Sequence, residues 1–271
     1  MTLLRFPGGR PKVLTLSYDD GVRDDLQMCE ILNKYGLKCT FNVNSANFLK
    51  AENGNSYYLT FAEAKQAYSS GGHEVACHGY MHEYLNMLPA SNTAYEVIRD
   101  RETLEREFDT IIRGFAYPYS AYNDDVVAAL KSCGIVYARG GNDSNDFSLP
   151  EDFMRMRPTV RHARSQLMEL ANKFLTQKVV YAPIMFMLMG HTYEFSRANN
   201  WNVIEEFAEL MGNKEDIWYA TCIEIYEYVE AYKNLVWSAD MKRVYNPTQI
   251  EIWLKQNNES CSVPPGKTLK F

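Results

Sequence analysis

Two adjacent carboxylates, Asp19 and Asp20, stand before Gly21, and two histidines, His78 and His82, lie four positions apart. In a helical turn, residues at that spacing project on one side, so both imidazoles can reach one ion. One carboxylate of the pair supplies a third ligand, while its neighbour, pointing elsewhere, is free to act as a base. Two histidines and one carboxylate with an open position form the donor set of a catalytic divalent site. Zinc is the first candidate, with Co2+, Ni2+, Mn2+ or Fe2+ as alternatives, and water on such an ion can lose ~8 pKa units. An Asp-Asp-Gly alone is an ordinary turn, and an H-x-x-x-H alone is a frequent accident. What points to chemistry is their pairing, His78 following Asp20 by 58 positions. His191 is a further titratable group, and Tyr193 and Glu194 behind it could orient its ring or meet a substrate. Of the other two histidines, His73 reads as packing and His162, between Arg161 and Arg164, as solvated.

These residues need a frame. Short apolar runs alternate along the chain with longer amphipathic ones. The pattern predicts strands over 13–17, 39–43, 73–77, 114–117, 135–138, 184–189 and 217–221. Helices are expected over 24–35, 60–69, 91–108, 124–133, 165–175, 201–211 and 224–232. Strict alternation implies a parallel α/β sheet with covering helices, and seven units in ~230 residues favour a closed or nearly closed TIM-like barrel. No G-x-G-x-x-G follows the first strand, which counts against a dinucleotide fold. In such a barrel all strand C-termini open on one face. Asp19, Asp20, His78, His82, residues 117–119 and His191 all fall at those ends and are expected to converge. The tail differs: 235–271 has short alternating runs and Pro/Gly turns, and reads as a small β appendage on a barrel of residues 1–234.

Composition narrows the partners. The 271 residues are 46% hydrophobic and 23% charged, with a net charge of −6 and no basic cluster. That argues against nucleic acid and anionic membranes, which call for a Lys/Arg-rich face. No apolar run reaches membrane-spanning length. The N-terminal residues carry no long apolar segment of the kind a signal peptide has, so a cytoplasmic location is expected, or an extracellular one if a leader has been removed. Six cysteines without a C-x-x-C pair read as free thiols. Tyr84, Tyr119, Tyr122 and Trp218 could form an aromatic floor on which sugars stack, against a plain packing role.

The string LTLSYDDG resembles the first motif of the polysaccharide deacetylases, the NodB homology or carbohydrate esterase 4 family. HGYMH resembles the second motif, with Gly79 where a hydroxyl residue is common, FAYPYSAY the third and LMGHTYEF the fifth, in the family's order. The resemblance implies a distorted (β/α)7 barrel of NodB type that hydrolyses an N- or O-acetyl group on a sugar. It implies Asp19 as base, Asp20, His78 and His82 as metal ligands, and His191 as acid. The backbone N–H of Tyr119, beside Pro118, would hold the oxyanion. Two departures stand out: Ala116 occupies the place of the third motif's arginine, and no Asp-Trp of the fourth motif is visible. Arg139, or Arg155 or Arg157, could supply the missing cation. Three other uses of the same residues compete: a metal-dependent amidase on a small cyclic or linear amide, a non-haem iron oxygenase, and a non-catalytic carbohydrate-binding descendant. Oligomeric state is left open.

Overall fold

The computed structural model describes residues 2–257 and 259–271. The chain enters on β1 (Thr2–Arg5), and the barrel begins with β2 (Lys12–Asp19), all eight of whose residues are buried. A strand buried on both faces needs no polar alternation, so VLTLS reads as a near-continuous apolar run. Around β2 stand β3 (Cys39–Val43), β4 (Glu74–Cys77), β5 (Gly114–Ala116), β6 (Tyr137–Arg139), β7 (Val160–Arg161), β8 (Ile184–Gly190) and β9 (Ile217–Tyr219). The helices between them are α1 (Asp25–Tyr35), α2 (Ser45–Glu52), α3 (Phe61–Ser70), α4 (Ala90–Phe108), α5 (Asp124–Ser132), α6 (Leu167–Thr176), α7 (Tyr193–Ala198), α8 (Asn202–Met211) and α9 (Cys222–Lys233). Two start on capping boxes, Thr60 with Glu63 and Thr221 with Glu224, and α1 stops where Gly36 takes φ 68°.

The strands are parallel and run in the order β6-β5-β4-β3-β2-β8-β7, with β9 lying beside the first half of β2 (Lys12 opposite Ile217). The sheet is an open curl. β4 and β5 pair only at Cys77 and Phe115. Beyond the edge strand β6, Met156 adds an isolated bridge, its N–H donating to Ala138 O at 3.0 Å and its O accepting from Gly140 N at 3.0 Å. This is the distorted (β/α)7-type barrel that the alternation and the resemblance predict. The strand β7 and the short helices α2 and α7 are additions to that reading, because two to eight residues are too few to show a period.

Beyond α9 the chain forms β10 (Val236–Trp237), β11 (Arg243–Tyr245), β12 (Ile252–Gln256), β13 (Glu259–Val263) and β14 (Thr268–Lys270). One three-stranded sheet is β10-β11-β14; the other is β1-β12-β13. The appendage therefore takes in β1 at the other end of the sequence, with Leu4 opposite Leu254. Leu4, Phe6, Val13, Ile225, Ile252 and Val263 share one core that joins the appendage to the barrel's N-terminal end. A separate, larger core fills the space between the sheet and helices α1 to α8. All six cysteines are free. Among the described residues no helix is long and apolar enough to cross a membrane.

Candidate active site

Asp19 closes β2, and Asp20 follows it in a left-handed conformation, φ 86°, ahead of Gly21 at φ 64°. Aspartate tolerates that region better than most residues, and the turn sends successive carboxylates in different directions. Asp19 points inward and is 4% exposed. It is met by the guanidinium of Arg139 at the end of β6, 2% exposed, and by Asn42 Nδ2 at 2.9 Å. Arg139 Nε also donates to Ser17 Oγ at 3.0 Å. Burial alone would raise the Asp19 carboxyl, but Arg139 above all, with His78, His191 and Asn42, holds it below its ordinary value. The cation absent from position 116 is thus supplied from the next strand. Arg155 is engaged with Asp152 and Asp124 instead, and Arg157 with the carbonyls of Asn142 and Asp143.

His78 follows β4 and is 2% exposed. Its Nδ1 lies 2.8 Å from Ala116 O, which can only accept, so Nδ1 carries the proton and Nε2 offers a lone pair. His82 Nε2 is 3.1 Å from His78 Nε2, and Asp20 Oδ1 lies 3.8 and 3.6 Å from the two nitrogens. An ion bound tetrahedrally at 2.0–2.2 Å keeps its ligand atoms roughly 3.3–3.6 Å apart, so the triangle fits one. Burial, then His78, pushes His82 down to about 4, which leaves it in the neutral form a ligand needs.

The histidines do not converge through a helical turn. Residues 78–82 are an irregular loop in which Gly79 has φ 77° and His82 φ 62°. The loop is held from outside by α4. Asp100, 0% exposed, accepts from Ser45 N at 2.7 Å and His78 N at 3.1 Å, and Glu96 accepts from Met81 N at 2.7 Å. Asn44 Nδ2 donates to the carbonyls of His78 and Gly79, each at 2.6 Å. Sequence reasoning passed over Asp100 and Glu96 because α4 reads as a solvated helix laced with charges. Their spacing of four, which puts both on one face, was the available signal.

His191 follows β8, with Nε2 3.9 Å from both Asp19 Oδ2 and Asp20 Oδ2. Its Nδ1 is 3.3 Å from Glu194 Oε1, whose other oxygen lies 3.1 Å from His162 Nε2. His162 is a correction to the solvated reading: it is 4% exposed, stacked 4.0 Å from Phe195 and 5.7 Å from Tyr18, with Nδ1 3.2 Å from the Tyr18 hydroxyl. Room for the ring comes from Gly190, where a Cβ would sit 1.9 Å from His162 Nδ1. Burial works against the His191 cation, yet Glu194, Asp19 and Asp20 together raise its pKa. Glu194, despite burial, is held well below the carboxylate range by the two imidazoles.

Pro118 begins a tight turn in which Tyr119 and Ser120 both have φ 57°. Among the described residues the Tyr119 N–H has no acceptor. The Tyr119 ring is 55% exposed, stacks 3.8 Å from Tyr84 and meets His82 edge-on at 4.5 Å. Tyr122 packs on Tyr117 instead. Trp218 is a second correction: it pairs with Val13 at the start of β2 and packs on Phe6 and Tyr228, at the far end of the barrel from Asp19. Strand direction decides this, since a residue opposite Val13 cannot reach the C-terminal face. Asp19, Asp20, His78, His82, Tyr119, Arg139 and His191 line one cavity of about 310 Å3, while Pro118 and Glu194 stand behind its wall.

A parallel barrel with a two-histidine, one-carboxylate set at its strand ends, flanked by a buried Asp–Arg pair and a second histidine, is the NodB type of α/β fold. The polysaccharide deacetylase family model matches residues 7–138, just under half of the chain. A bifunctional xylanase/deacetylase of Pseudobutyrivibrio xylanivorans is 29% identical over 114 residues, 42% of this chain and 17% of that protein's length. A polysaccharide deacetylase candidate from Mycobacterium smegmatis has a TM-score of 0.64 at 17% identity, covering 85% of this chain and 94% of that one. The Xyl-CE4 domain of a multidomain xylanase from the hindgut metagenome of Trinervitermes trinervoides has a TM-score of 0.53 at 18% identity, covering 81% and 92%. At these identities the structural likeness is one of fold.

Proposed function

We propose that the chain is a hydrolase that removes an N-acetyl or O-acetyl group from a carbohydrate, using one divalent ion, zinc first, held by Asp20, His78 and His82. The observation that carries this reading is the placing of a carboxylate and an imidazole across one small cavity, with the donor triangle beside them. Arg139 favours the charged form of Asp19, and Glu194 that of His191. When bound, the ion polarises the acyl carbonyl and acidifies a water. Asp19 then takes the proton that the attacking water loses. His191 delivers one from Nε2 to the departing nitrogen or oxygen, and Glu194 stabilises the ring in both states. The unpaired Tyr119 N–H is available to the oxygen on which charge develops. Arg139 fixes the direction of Asp19 and favours its charged form.

The cavity is at the small end of ligand pockets, about 310 Å3, which also suits a compact amide. One set of assays separates the readings. Purified protein is expected to release acetate from N- or O-acetylated oligosaccharides, to lose that activity in chelator and to recover it with zinc. Turnover of cyclic ureides or simple amides with no acetate release would establish the amidase. Neither activity, with sugar binding retained, would leave a non-catalytic carbohydrate binder, although all three ligand residues are in place.

A further inference from the structure

His191 faces the cavity with Nε2, so its ring is aimed from behind, through Glu194. The backbone of that loop is fixed independently. Glu194 N donates to His191 O at 3.1 Å, and Thr192 Oγ1 donates to the buried Asp25 at 2.6 Å. The direction of the Glu194 carboxylate is a separate matter, because three groups compete for it. His191 Nδ1 and Arg161 Nη2 both lie 3.3 Å from Oε1, and His162 Nε2 lies 3.1 Å from Oε2. Oε2 is buried and no donor meets it squarely, so the close but bent approach of His162 is all that faces it among the described residues. Arg161 lines the cavity with its side chain 32% exposed. A guanidinium takes both oxygens of a carboxylate when both are free. With Oε2 released, Arg161 would hold the carboxylate in that two-pronged way and leave Nδ1 of His191 unmatched.

His162 is built not to give way. Its ring is buried over Gly190, packs on Phe195 and lies within 3° of parallel to Tyr18. Its backbone N–H donates to Met189 O at 2.9 Å. An imidazole nitrogen this close to a carboxylate oxygen carries a proton, so Nδ1 is left to the Tyr18 hydroxyl at 3.2 Å. That hydroxyl donates to a neutral ring and accepts from a charged one, and the ring keeps its place in either form. We propose that His162 is a positioning residue for the acid: it holds Oε2 of Glu194 against Arg161, so that Oε1 stays aimed at His191. The proposal rests on the hydrolase reading above and deepens it, placing a second imidazole behind the carboxylate of the acid. Among the described residues the His162 side chain is bonded only to Tyr18 and Glu194, so its loss leaves the base and the metal-binding residues with their own partners.

The test uses two acetyl donors that differ in the group that departs. From an N-acetylated oligosaccharide the amine leaves only as it gains the proton that His191 supplies, whereas 4-nitrophenyl acetate expels a stable phenolate unaided. His162→Phe keeps a flat ring in the same space and removes the N–H, while His162→Gln returns a donor near the same point. His162→Phe is expected to lower kcat for the oligosaccharide about 10- to 100-fold at unchanged KM. Its chelator-sensitive hydrolysis of 4-nitrophenyl acetate should stay at the wild-type rate, and His162→Gln should recover most of the lost kcat. Equal losses on both donors, no loss on either, or a glutamine variant as slow as the phenylalanine one overturn the proposal. If His162→Phe does not fold, His162→Leu, which also lacks a donor, takes its place in the same comparison. If the wild type releases acetate from no carbohydrate, the carbohydrate reading fails on its own, and NMR of protein with isotope-labelled histidine still decides the role of His162. The Nδ1–H resonance of His191 should exchange slowly in the wild type and in His162→Gln and be lost in His162→Phe. Its persistence in His162→Phe rejects the proposal there too.

Discussion

Asp19 keeps its charge inside the protein because Arg139 is buried with it. A buried pair contributes little net stability, but breaking it by removing one partner leaves a stranded charge that costs roughly 3–5 kcal/mol. Arg139→Met is therefore expected to lower the unfolding free energy by about that amount in urea titrations and to raise the Asp19 pKa. It should also reduce kcat by ~10²-fold or more, as expected when a catalytic base is lost. The double substitution Arg139→Met with Asp19→Asn should regain most of the stability and none of the activity, a pattern that a purely structural pair would not give. At the metal-binding residues the expectation is simpler. Asp20→Asn and His82→Ala should remain folded yet fail to retain an equivalent of zinc in elemental analysis. If both hold a full equivalent, the assignment of the donor set is wrong.

Element by element, the site is a set of strand ends tied from behind by helices. α4 is the clearest case: Asp100 and Glu96 hold the loop that carries both histidines. Asp100→Asn puts an amide N–H against a backbone N–H and is expected to cost about 1–3 kcal/mol, with a fall in zinc affinity of ~10–100-fold by competition titration. Much of this frame was legible in the sequence. The run VLTLS, the gapped histidines and the capping boxes at Thr60 and Thr221 each carry a local signal, and Arg139 was a named candidate because it ends a strand. What escaped notice was whatever depends on tertiary contact. The left-handed backbone at Gly79 and His82 cannot be read from a spacing of four, which suggested a helix. His162 looks solvated beside two arginines until the space above Gly190 is known. Trp218 was placed by its side chain's chemistry when its position along a strand mattered more.

For the molecule as a whole, buried carboxylates outside the site give stability a definite pH dependence. Asp25 at the start of α1 is 0% exposed, and burial pushes its carboxyl up to about 7 despite hydrogen bonds from Thr192 at 2.6 Å and Tyr68 at 2.7 Å. Asp100 is shifted in the same sense, also to about 7. A group whose folded pKa lies above its unfolded value of ~3.9 binds more protons in the native state. Its contribution is complete below the unfolded value and is lost as pH rises through the folded one. The contribution of these two carboxyls to the unfolding free energy is therefore expected to fall between about pH 4 and 7, and Asp25→Asn should remove its share of that slope in denaturant titrations at matched ionic strength. The same slope in variant and wild type would assign the effect elsewhere.

The pairing of β1 with β12 has a consequence in time. Leu4 leaves the ribosome long before Leu254, its partner. At synthesis rates of about 5–20 residues per second, that interval is roughly 12–50 s. The barrel strands β2 to β9 lie between the two and can close while β1 still has nothing to pair with. In the last part of that interval, once β9 has emerged, a short apolar edge, Leu3 and Leu4 among it, is exposed on a nearly finished domain. The appendage is thus the last part of the molecule to assemble, and nascent chains stalled before residue 252 are where a chaperone would find this protein bound.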